Sequence, residues 1–407
     1  CIRDRLKSRK FLISSNIKES KEKEIEVRPE FFMIDMTNKC NLRCNYCLRN
    51  LEQEENCIST EKLRDIGKFI TTYCDEYKIA NISVQAWGGE PLLEKNKIIA
   101  LTKFITPQKT KVHYSIETNA TLLTNDVIEE LYKNHIGIGI SIDGDRKCHD
   151  LQRTFVSGKG SYDTVKKNLL QAQRYYKNKI GTITTITKQT AVHIEKIIEH
   201  LVLDLHISNI KLNFVHASTY THGQNQCLNT QEIADTELRI LYKIIELQER
   251  GYDVMEHNIF IKLKNLLFRE YADICLSCGC CGGEKMIVFD MDGNIYPCEL
   301  TDDASFVIGS IYKKESLIEQ IKMTIDKDKA FFKMKKAVEC EKCYWKFFCR
   351  GGCTVRALSE KRQMEVIDID HIECAINQVL YPALMELVLR KPHIVNQMLG
   401  EDLLVDE

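Results

Sequence analysis

Three cysteines near the start of the chain are spaced as the ligands of one metal centre would be. Cys40, Cys44 and Cys47 form a CxxxCxxC pattern within a single short segment. Three thiolates so placed can hold three irons of a [4Fe–4S] cluster and leave the fourth iron open to another ligand. The alternatives are a zinc loop or three unrelated core cysteines, but zinc sites usually pair two CxxC units and no second pair lies nearby. The pattern therefore indicates an iron–sulfur centre with an open position.

A second group of cysteines occupies the last third of the chain. The sequence has 18 cysteines in 407 residues and nothing at its start that resembles a signal peptide, so we expect a reducing, cytoplasmic setting in which clustered cysteines bind metal. The spaced cysteines of this region are Cys281, Cys298, Cys340, Cys343, Cys349, Cys353 and Cys374. In the segment C-L-S-C-G-C-C, the four cysteines at positions 275, 278, 280 and 281 compete for fewer ligand places. Zinc remains the alternative metal for such thiolate sets.

Alternating apolar runs and helix-period segments dominate the region between these two groups. The strand candidates are Phe32–Met36, Ile82–Ala86, Val112–Ile116, Gly137–Ile142, Thr182–Thr187 and Ile210–Val215. A stretch with helical spacing follows each of them, as in repeated β–α units with a parallel sheet and helices outside. Six units predict an open, partial (β/α)6 barrel of the TIM type and not a closed one. The first cysteine group would then follow the first strand, at the sheet edge where active-site loops collect.

We divide the chain into four parts on these grounds. Residues 1–30 form a Lys-rich arm that begins with Cys1 and not with Met, as a truncated terminus would. Residues 31–255 form the barrel, 256–380 a small cysteine-rich domain, and 381–407 a C-terminal helix. The formal net charge of −1 suggests neither a nucleic-acid partner nor an acidic membrane surface. No apolar run is long enough to predict a transmembrane helix.

The first cysteine group, with the aromatic Tyr46 before its last cysteine, resembles the signature of radical S-adenosyl-L-methionine (AdoMet) enzymes. The resemblance implies that the amine and carboxylate of AdoMet chelate the open iron of a [4Fe–4S] cluster. One electron then cleaves AdoMet, and the resulting 5'-deoxyadenosyl radical abstracts a hydrogen from the substrate. Tyr46 would lie beside the adenine.

Other segments fit the same resemblance and supply further cofactor contacts. Gly88, Gly89 and Glu90 belong to a GGEP stretch that, in this family, receives the methionine amino group; glycines there also let a backbone approach a ligand closely. Ser141 and Arg153 would contact the ribose and carboxylate. The remaining candidates are Glu117 and Asn119 for the ribose and Leu212 for the adenine. The alternatives are an ordinary turn for GGEP, a surface salt bridge for Arg153, loop caps for Glu117 and Asn119, and core packing for Leu212.

The second cysteine group resembles the SPASM extension found on a branch of the same family. The resemblance implies two auxiliary [4Fe–4S] clusters, three clusters in all. Cys275, Cys281, Cys298 and Cys353 would hold the first, and Cys340, Cys343, Cys349 and Cys374 the second. Glu299, beside Cys298, matches the position of an Asp that acts as a base in sulfatase-maturing enzymes; a solvent-facing Glu is the alternative.

SPASM-bearing radical enzymes mostly modify peptides, so the resemblance implies a maturase of a ribosomally made precursor peptide. The leading prediction is a thioether crosslink, in which an auxiliary cluster accepts the released electron. The alternatives are formylglycine formation as in anaerobic sulfatase maturases, a carbon–carbon crosslink or an epimerisation. An alternative of another class is a non-catalytic iron–sulfur electron carrier. The implied partners are a Cys-containing peptide, an electron donor such as flavodoxin or ferredoxin, and a separate leader-binding protein.

Overall fold

A computed structural model describes residues 27–49, 54–216, 224–268, 280–301, 304–326, 338–359 and 369–400. The predicted ligand Cys275, its neighbour Cys278 and most of the predicted N-terminal arm lie outside these residues. Among the described residues, two sheets contain twelve strands: β1 (Phe31–Thr37), β2 (Leu42–Cys44), β3 (Asn81–Gly88), β4 (Lys111–Thr118), β5 (Ile136–Ser141), β6 (Arg153–Phe155), β7 (Gly181–Ile186), β8 (Asn209–Phe214), β9 (Met255–Glu256), β10 (Met286–Phe289), β11 (Asn294–Tyr296) and β12 (Gly309–Ser310).

The six predicted strands form a continuous parallel sheet. β1, β3, β4, β5, β7 and β8 lie side by side in chain order, and every neighbouring pair is parallel. Their side chains alternate between a buried face under the helices and a partly exposed inner face, as β5 illustrates. The sequence-based prediction of an α/β fold with six parallel strands is therefore confirmed.

The sheet continues beyond the predicted barrel at both edges. β9 pairs in parallel with β8, and β10 pairs in parallel with β1 and carries the antiparallel strands β11 and β12. The predicted boundary near residue 255 is wrong in this respect, because strands on both sides of it share one sheet. Apolar side chains explain the join: Phe289 of β10 stacks on Phe32 of β1 at 6.3 Å between ring centroids.

Helices cover the buried face of the sheet. Those described are α1 (Thr60–Tyr77), α2 (Lys95–Phe104), α3 (Asn125–Lys133), α4 (Arg146–Gln152), α5 (Tyr162–Tyr176), α6 (Lys188–Ala191), α7 (Ile194–Glu199), α8 (Thr230–Glu249), α9 (His257–Phe268), α10 (Leu317–Asp326), α11 (Val338–Glu341), α12 (Lys346–Cys349), α13 (Thr354–Ser359), α14 (His371–Arg390) and α15 (Pro392–Leu399). Short turns of 3-10 helix occur at Pro91–Glu94, Lys177–Lys179, Gln224–Gln226 and Ala304–Phe306, and a π-helical turn, His200–Asp204, continues α7.

Local sequence explains where the first helix begins and which face it buries. Ser59 caps α1 by accepting a hydrogen bond from the Lys62 backbone N–H. Leu63, Ile66 and Ile70 follow at helical spacing and are buried against the sheet. The cap and the apolar stripe therefore determine where this helix begins and which of its faces is buried.

The C-terminal helices depart from the predicted division. α14 runs from His371 to Arg390, so the expected boundary between residues 380 and 381 falls inside it, and Pro392 begins a separate helix after Lys391. α14 also has the length and apolar composition of a membrane span. It packs instead against α8 and buries Leu380, Tyr381 and Leu384 in the main core.

Candidate active site

The CxxxCxxC segment lies at the carboxyl end of β1. Within it, β2 pairs antiparallel with β6, which places Cys44 directly opposite Arg153. The Cys47 N–H donates to the Cys44 carbonyl at 3.2 Å, and the Leu42 N–H donates to Cys40 Sγ at 3.5 Å. All three cysteines are partly exposed. The structure therefore brings the predicted ligands together in one short loop, which we call the cysteine loop (residues 38–47).

Gly88 and Gly89 allow the end of β3 to lie against the cysteine loop. A Cβ on Gly88 would sit 2.4 Å from the Thr37 carbonyl oxygen, and one on Gly89 would sit 2.2 Å from the Lys39 carbonyl oxygen. The Gly89 and Glu90 N–H groups donate to these same two carbonyls at 2.8 Å. We predicted that these glycines admit a ligand. The close approach that the structure shows is to the cysteine loop and the residue before it, and contact of these glycines with a ligand stays a prediction.

Glu90 and Asn119 help to fix the cysteine loop in place through hydrogen bonds. The Glu90 side chain is fully buried and accepts hydrogen bonds from Thr118 Oγ1 at 2.7 Å, the Asn119 N–H at 2.8 Å and the Leu92 N–H at 3.0 Å. Burial raises the pKa of its carboxyl group. Asn119 Nδ2 in turn donates to Asn41 Oδ1 in the cysteine loop at 2.9 Å. These hydrogen bonds fit a turn at Glu90 and a loop cap at Asn119, the two alternatives given above, more closely than direct contact with a ligand.

Tyr46 and Arg153 meet at a buried carboxylate, Asp143. Its Oδ2 accepts from Tyr46 Oη at 2.6 Å, Arg153 Nε at 2.8 Å and Gln152 Nε2 at 3.0 Å, while Oδ1 accepts from the Thr185 N–H at 2.9 Å. The Arg153 guanidinium lies over the Tyr46 ring, 5.3 Å from its centroid. Arg153 is 7% exposed, so the alternative of a surface salt bridge is wrong.

The electrostatics of this cluster follow from its burial. Burial raises the pKa of the Cys44 thiol to about 12, and the Arg153 charge opposes that shift. Burial also lowers the pKa of His149 to about 4, so its ring is neutral; Nδ1 accepts from the Asp143 N–H at 3.2 Å, and Nε2 lies 2.9 Å from Ser161 Oγ. Asp143, His149 and Ser161 are not among the predicted site residues, although Asp143 lies in the segment S-I-D-G with Ser141, and His149 lies in H-D-L-Q-R with Arg153. Ser161 follows in the segment G-K-G-S-Y.

The inner face of the sheet carries polar side chains, and the core face carries Leu212. Glu117 lies near Lys211 on this inner face; burial raises the pKa of Glu117, and Lys211 opposes the shift. Ser141 ends β5 on the same partly exposed side. Leu212, by contrast, alternates with Lys211 on β8 and is 3% exposed in the main core. This burial favours the core-packing alternative for Leu212, and its contact with the adenine stays a prediction.

The structure brings three cysteines of the first auxiliary group together. Burial raises the pKa of the Cys298 thiol well above its usual range, and the charge of Glu299 raises it further. The thiols of Cys280 and Cys353 lie close enough to Cys298 to add to that shift. Cys281, the predicted ligand, accepts three backbone N–H groups of residues 284–286 through its carbonyl. Cys280 is therefore a further candidate beside Cys281, and the choice between them stays a prediction.

Glu299 lies beside this group. It is partly buried and follows Cys298, whose side chain packs with Met33 of β1 on the inner face of the sheet. The alternative of a solvent-facing Glu is wrong.

The second auxiliary group lines a single cavity. Cys340, Cys343, Cys349 and Cys374 all face it, together with Asn377 and Gln378. The space between these side chains, counted together with solvent at its open side, is about 370 Å³. Across the residues that the structure describes, no three His, Cys, Asp or Glu side chains are arranged to hold a single metal ion.

Comparison with known proteins identifies the family. Residues 34–201 match the Radical SAM superfamily. A Cysteine-type anaerobic sulfatase-maturating enzyme of Clostridium novyi (strain NT) is 26% identical over 327 residues, which cover 78% of this chain and 85% of the relative.

Two solved structures share the fold. The structure of anSMEcpe with bound AdoMet and Cp18Cys peptide is 20% identical, with a TM-score of 0.74 over 89% of this chain and 99% of that one. The structure of Streptococcus suis SuiB bound to precursor peptide SuiA is 17% identical, with a TM-score of 0.62 over 91% and 86%. With its cysteine loop set at the end of a parallel sheet, the chain carries a radical SAM domain over residues 34–201, is an enzyme, and is homologous to the anaerobic sulfatase maturases.

Proposed function

We propose that this enzyme modifies a Cys-containing peptide by radical chemistry and forms a thioether crosslink. One observation carries the proposal: the cysteine loop is fixed by backbone hydrogen bonds at the carboxyl end of the sheet, beside an inner face lined by polar side chains. The radical SAM family implies a [4Fe–4S] cluster at Cys40, Cys44 and Cys47. With AdoMet bound, that cluster supplies the electron that generates a 5'-deoxyadenosyl radical.

The chain's own residues would hold and orient AdoMet. Arg153, fixed by Asp143 and Tyr46, directs its charge toward Cys44 and would attract the AdoMet carboxylate. Ser141 and Glu117, on the inner face, are the proposed ribose contacts. Gly88, Gly89, Glu90 and Asn119 would act by positioning the cysteine loop.

Two auxiliary clusters are proposed for the C-terminal cysteines. Cys280, Cys298 and Cys353 would hold the first, with Cys275 outside the described residues as the fourth candidate. The cavity lined by four cysteines at positions 340, 343, 349 and 374 would hold the second. Thiolate sets that join distant segments would also stabilise this part of the fold when metal binds.

A thioether requires that one hydrogen, one proton and one electron leave the peptide. The hydrogen atom would pass to the 5'-deoxyadenosyl radical and give 5'-deoxyadenosine, the thiol proton would pass to Glu299 as base, and an auxiliary cluster would accept the electron. Glu299 is the candidate base because it follows Cys298 and its charge acts on that thiol. The peptide substrate is supported by both neighbouring structures, each of which has a peptide bound. A flavodoxin or ferredoxin would supply electrons, and a separate protein would bind the leader.

Formylglycine formation is the second candidate. It is favoured by the sequence similarity to a Cysteine-type anaerobic sulfatase-maturating enzyme along 78% of this chain. Both reactions begin by removing a hydrogen from a peptide, so the product separates them.

The experiment is anaerobic reconstitution followed by addition of dithionite, AdoMet and a Cys-containing peptide. We expect about twelve irons per chain, four in each cluster, 5'-deoxyadenosine as a product, and a peptide that loses two hydrogens per crosslink. Loss of the peptide's sulfur would identify formylglycine instead. Cys44→Ala should abolish 5'-deoxyadenosine, whereas Cys227→Ala, outside all three proposed sites, should not. Failure of the unmodified chain to form 5'-deoxyadenosine would overturn the proposal.

A further inference from the structure

Four charged side chains form a buried network between the two auxiliary groups of cysteines. Lys262 lies on α9, Arg356 on α13, Asp370 at the N-cap of α14 and Glu373 in its first turn. Their side chains are between 1% and 17% exposed. The charges balance, two positive and two negative. We refer to these residues as the bridging network.

One end of the network contacts the first group. Arg356 donates to Asp370 Oδ2 from Nε at 3.0 Å and from Nη2 at 2.7 Å. The same Asp370 oxygen accepts from the Cys353 N–H at 2.7 Å. The Arg356 charge lies close enough to Cys353 to oppose the rise in the thiol's pKa that burial causes. A cation therefore lies beside a proposed ligand of the first cluster.

The other end contacts the second group. Lys262 Nζ bonds to Glu373 Oε1 and to Asn377 Oδ1, the latter at 2.7 Å. Asn377 lines the same cavity as Cys349, and Glu373 immediately precedes Cys374. Arg356 Nη2 reaches Glu373 Oε2 at 3.4 Å and so joins the two ends. A second cation therefore lies behind the cavity of the second cluster.

Burial of these ions needs an explanation other than stability. Removing an ion from water costs several kcal/mol, and well-packed apolar residues often serve stability as well as a buried ion pair does. A fixed charge near an iron–sulfur cluster, however, acts on its reduction potential, because a nearby cation favours the more negative reduced state. The low local dielectric strengthens that action.

We propose that the bridging network sets the reduction potentials of the two auxiliary clusters separately, through Arg356 at the first and Lys262 at the second. The inference rests on the proposed function, since it requires both clusters. One connected network thereby places one cation at each centre, with Glu373 and Asp370 limiting the effect of both cations.

The test is a redox titration of the reconstituted full-length chain, followed by electron paramagnetic resonance. Lys262→Met should lower the midpoint potential of the second cluster and leave the first unchanged, whereas Glu373→Gln should raise that of the second. Arg356→Gln should lower the midpoint potential of the first cluster alone. Lys243→Met is the matched control, because Lys243 is a largely buried lysine paired with Glu199 away from the cysteines, and it should move neither.

Shifts of opposite sign in Lys262→Met and Glu373→Gln would show that charge changes the midpoint potential of the second cluster. A loss of packing would instead shift that potential in the same direction in both variants. If Lys262→Met does not fold, the double variant Lys262→Met/Glu373→Gln removes the pair without leaving a lone charge and should return the second potential close to that of the unmodified chain. Twelve irons per chain with potentials that do not move, or that move together, would overturn this inference alone. About four irons per chain would overturn the proposed auxiliary clusters and the inference with them.

Discussion

Asp143 is the residue on which the geometry of the cysteine loop depends most. It is fully buried and joins Tyr46 in the loop, Arg153 in β6 and Thr185 in β7. An ionised carboxylate in such a place is stable only while its donors remain, because removing one partner of a buried pair leaves the other charge without compensation. Asp143 therefore fixes the position of Arg153 beside Cys44.

We predict that Asp143→Asn weakens both the fold and AdoMet binding. Loss of the buried pair should lower the free energy of unfolding by about 3–5 kcal/mol, measured by anaerobic urea denaturation. Calorimetric titration should show weaker AdoMet binding, because Arg153 is no longer oriented. The control is Asp163→Asn, which breaks an exposed pair with Arg146 and should cost about 1 kcal/mol or less. Equal losses in the two variants, or unchanged AdoMet affinity in Asp143→Asn, would contradict the assignment.

At this scale the sequence predicted which residues meet, but not how each side chain is used. Cysteine spacing located the cysteine loop, and the resemblance to the SPASM extension predicted the four cysteines around the second cavity. Spacing could not tell Cys280 from Cys281, since adjacent residues differ only in the direction of their side chains. Nor could it show that Glu90 is fully buried, because burial depends on contacts with β4 that are distant in sequence.

At the scale of elements, the end of β3 is shaped to receive the cysteine loop. We predict that Gly89→Ala displaces the loop, because its Cβ would lie 2.2 Å from a backbone carbonyl that cannot move alone. Iron bound per chain after reconstitution and the thermal unfolding midpoint should both fall. Gly181→Ala in β7 is the matched control, since no atom lies within 4 Å of its added Cβ, and it should be neutral or stabilising by about 0.5–1 kcal/mol. A normal iron content in Gly89→Ala would show that this contact does not position the loop.

Helix α8 carries a buried acid that should make stability depend on pH. Burial raises the pKa of Glu237 to about 8, and Glu256 adds to the shift while Lys262 opposes it. The folded protein then holds a proton that the unfolded chain, with an ordinary value of 4.5, has lost. The protonated Glu237 carboxyl therefore makes its full contribution to the free energy of unfolding below pH 4.5. This contribution is lost as the pH rises toward 8, by at most about 1.4 kcal/mol per pH unit.

Glu237→Gln should flatten this dependence and stabilise the protein at the upper end of the interval. Urea denaturation between pH 4.5 and 8 measures it. Glu246→Gln, on the exposed side of the same helix, is the control: hydrogen bonds from Lys243 and Arg250 lower the pKa of Glu246, so its titration lies below the interval. An unchanged slope in Glu237→Gln would show that another group binds the proton.

At the scale of the whole molecule, periodicity predicted the parallel sheet but not its extent. Local alternation of apolar residues is enough to locate β1 and its five partners, because each is followed by its own helix. β9 has two residues and β10 has four, too few for a period, and both join the sheet through pairing with distant strands. Local periodicity also could not locate the ends of these elements, and the boundaries predicted at residues 255 and 380 therefore do not coincide with them.

The pairing of β10 with β1 has a consequence for biosynthesis. When β1 leaves the ribosome, the strand that completes its outer edge, Met286–Phe289, has not yet been translated. Until then a hydrophobic edge with open backbone groups is available to other nascent chains, a known route to aggregation. Pairing of β10, from the cysteine-rich part of the chain, with β1 therefore covers a sheet edge that would otherwise be open to self-association.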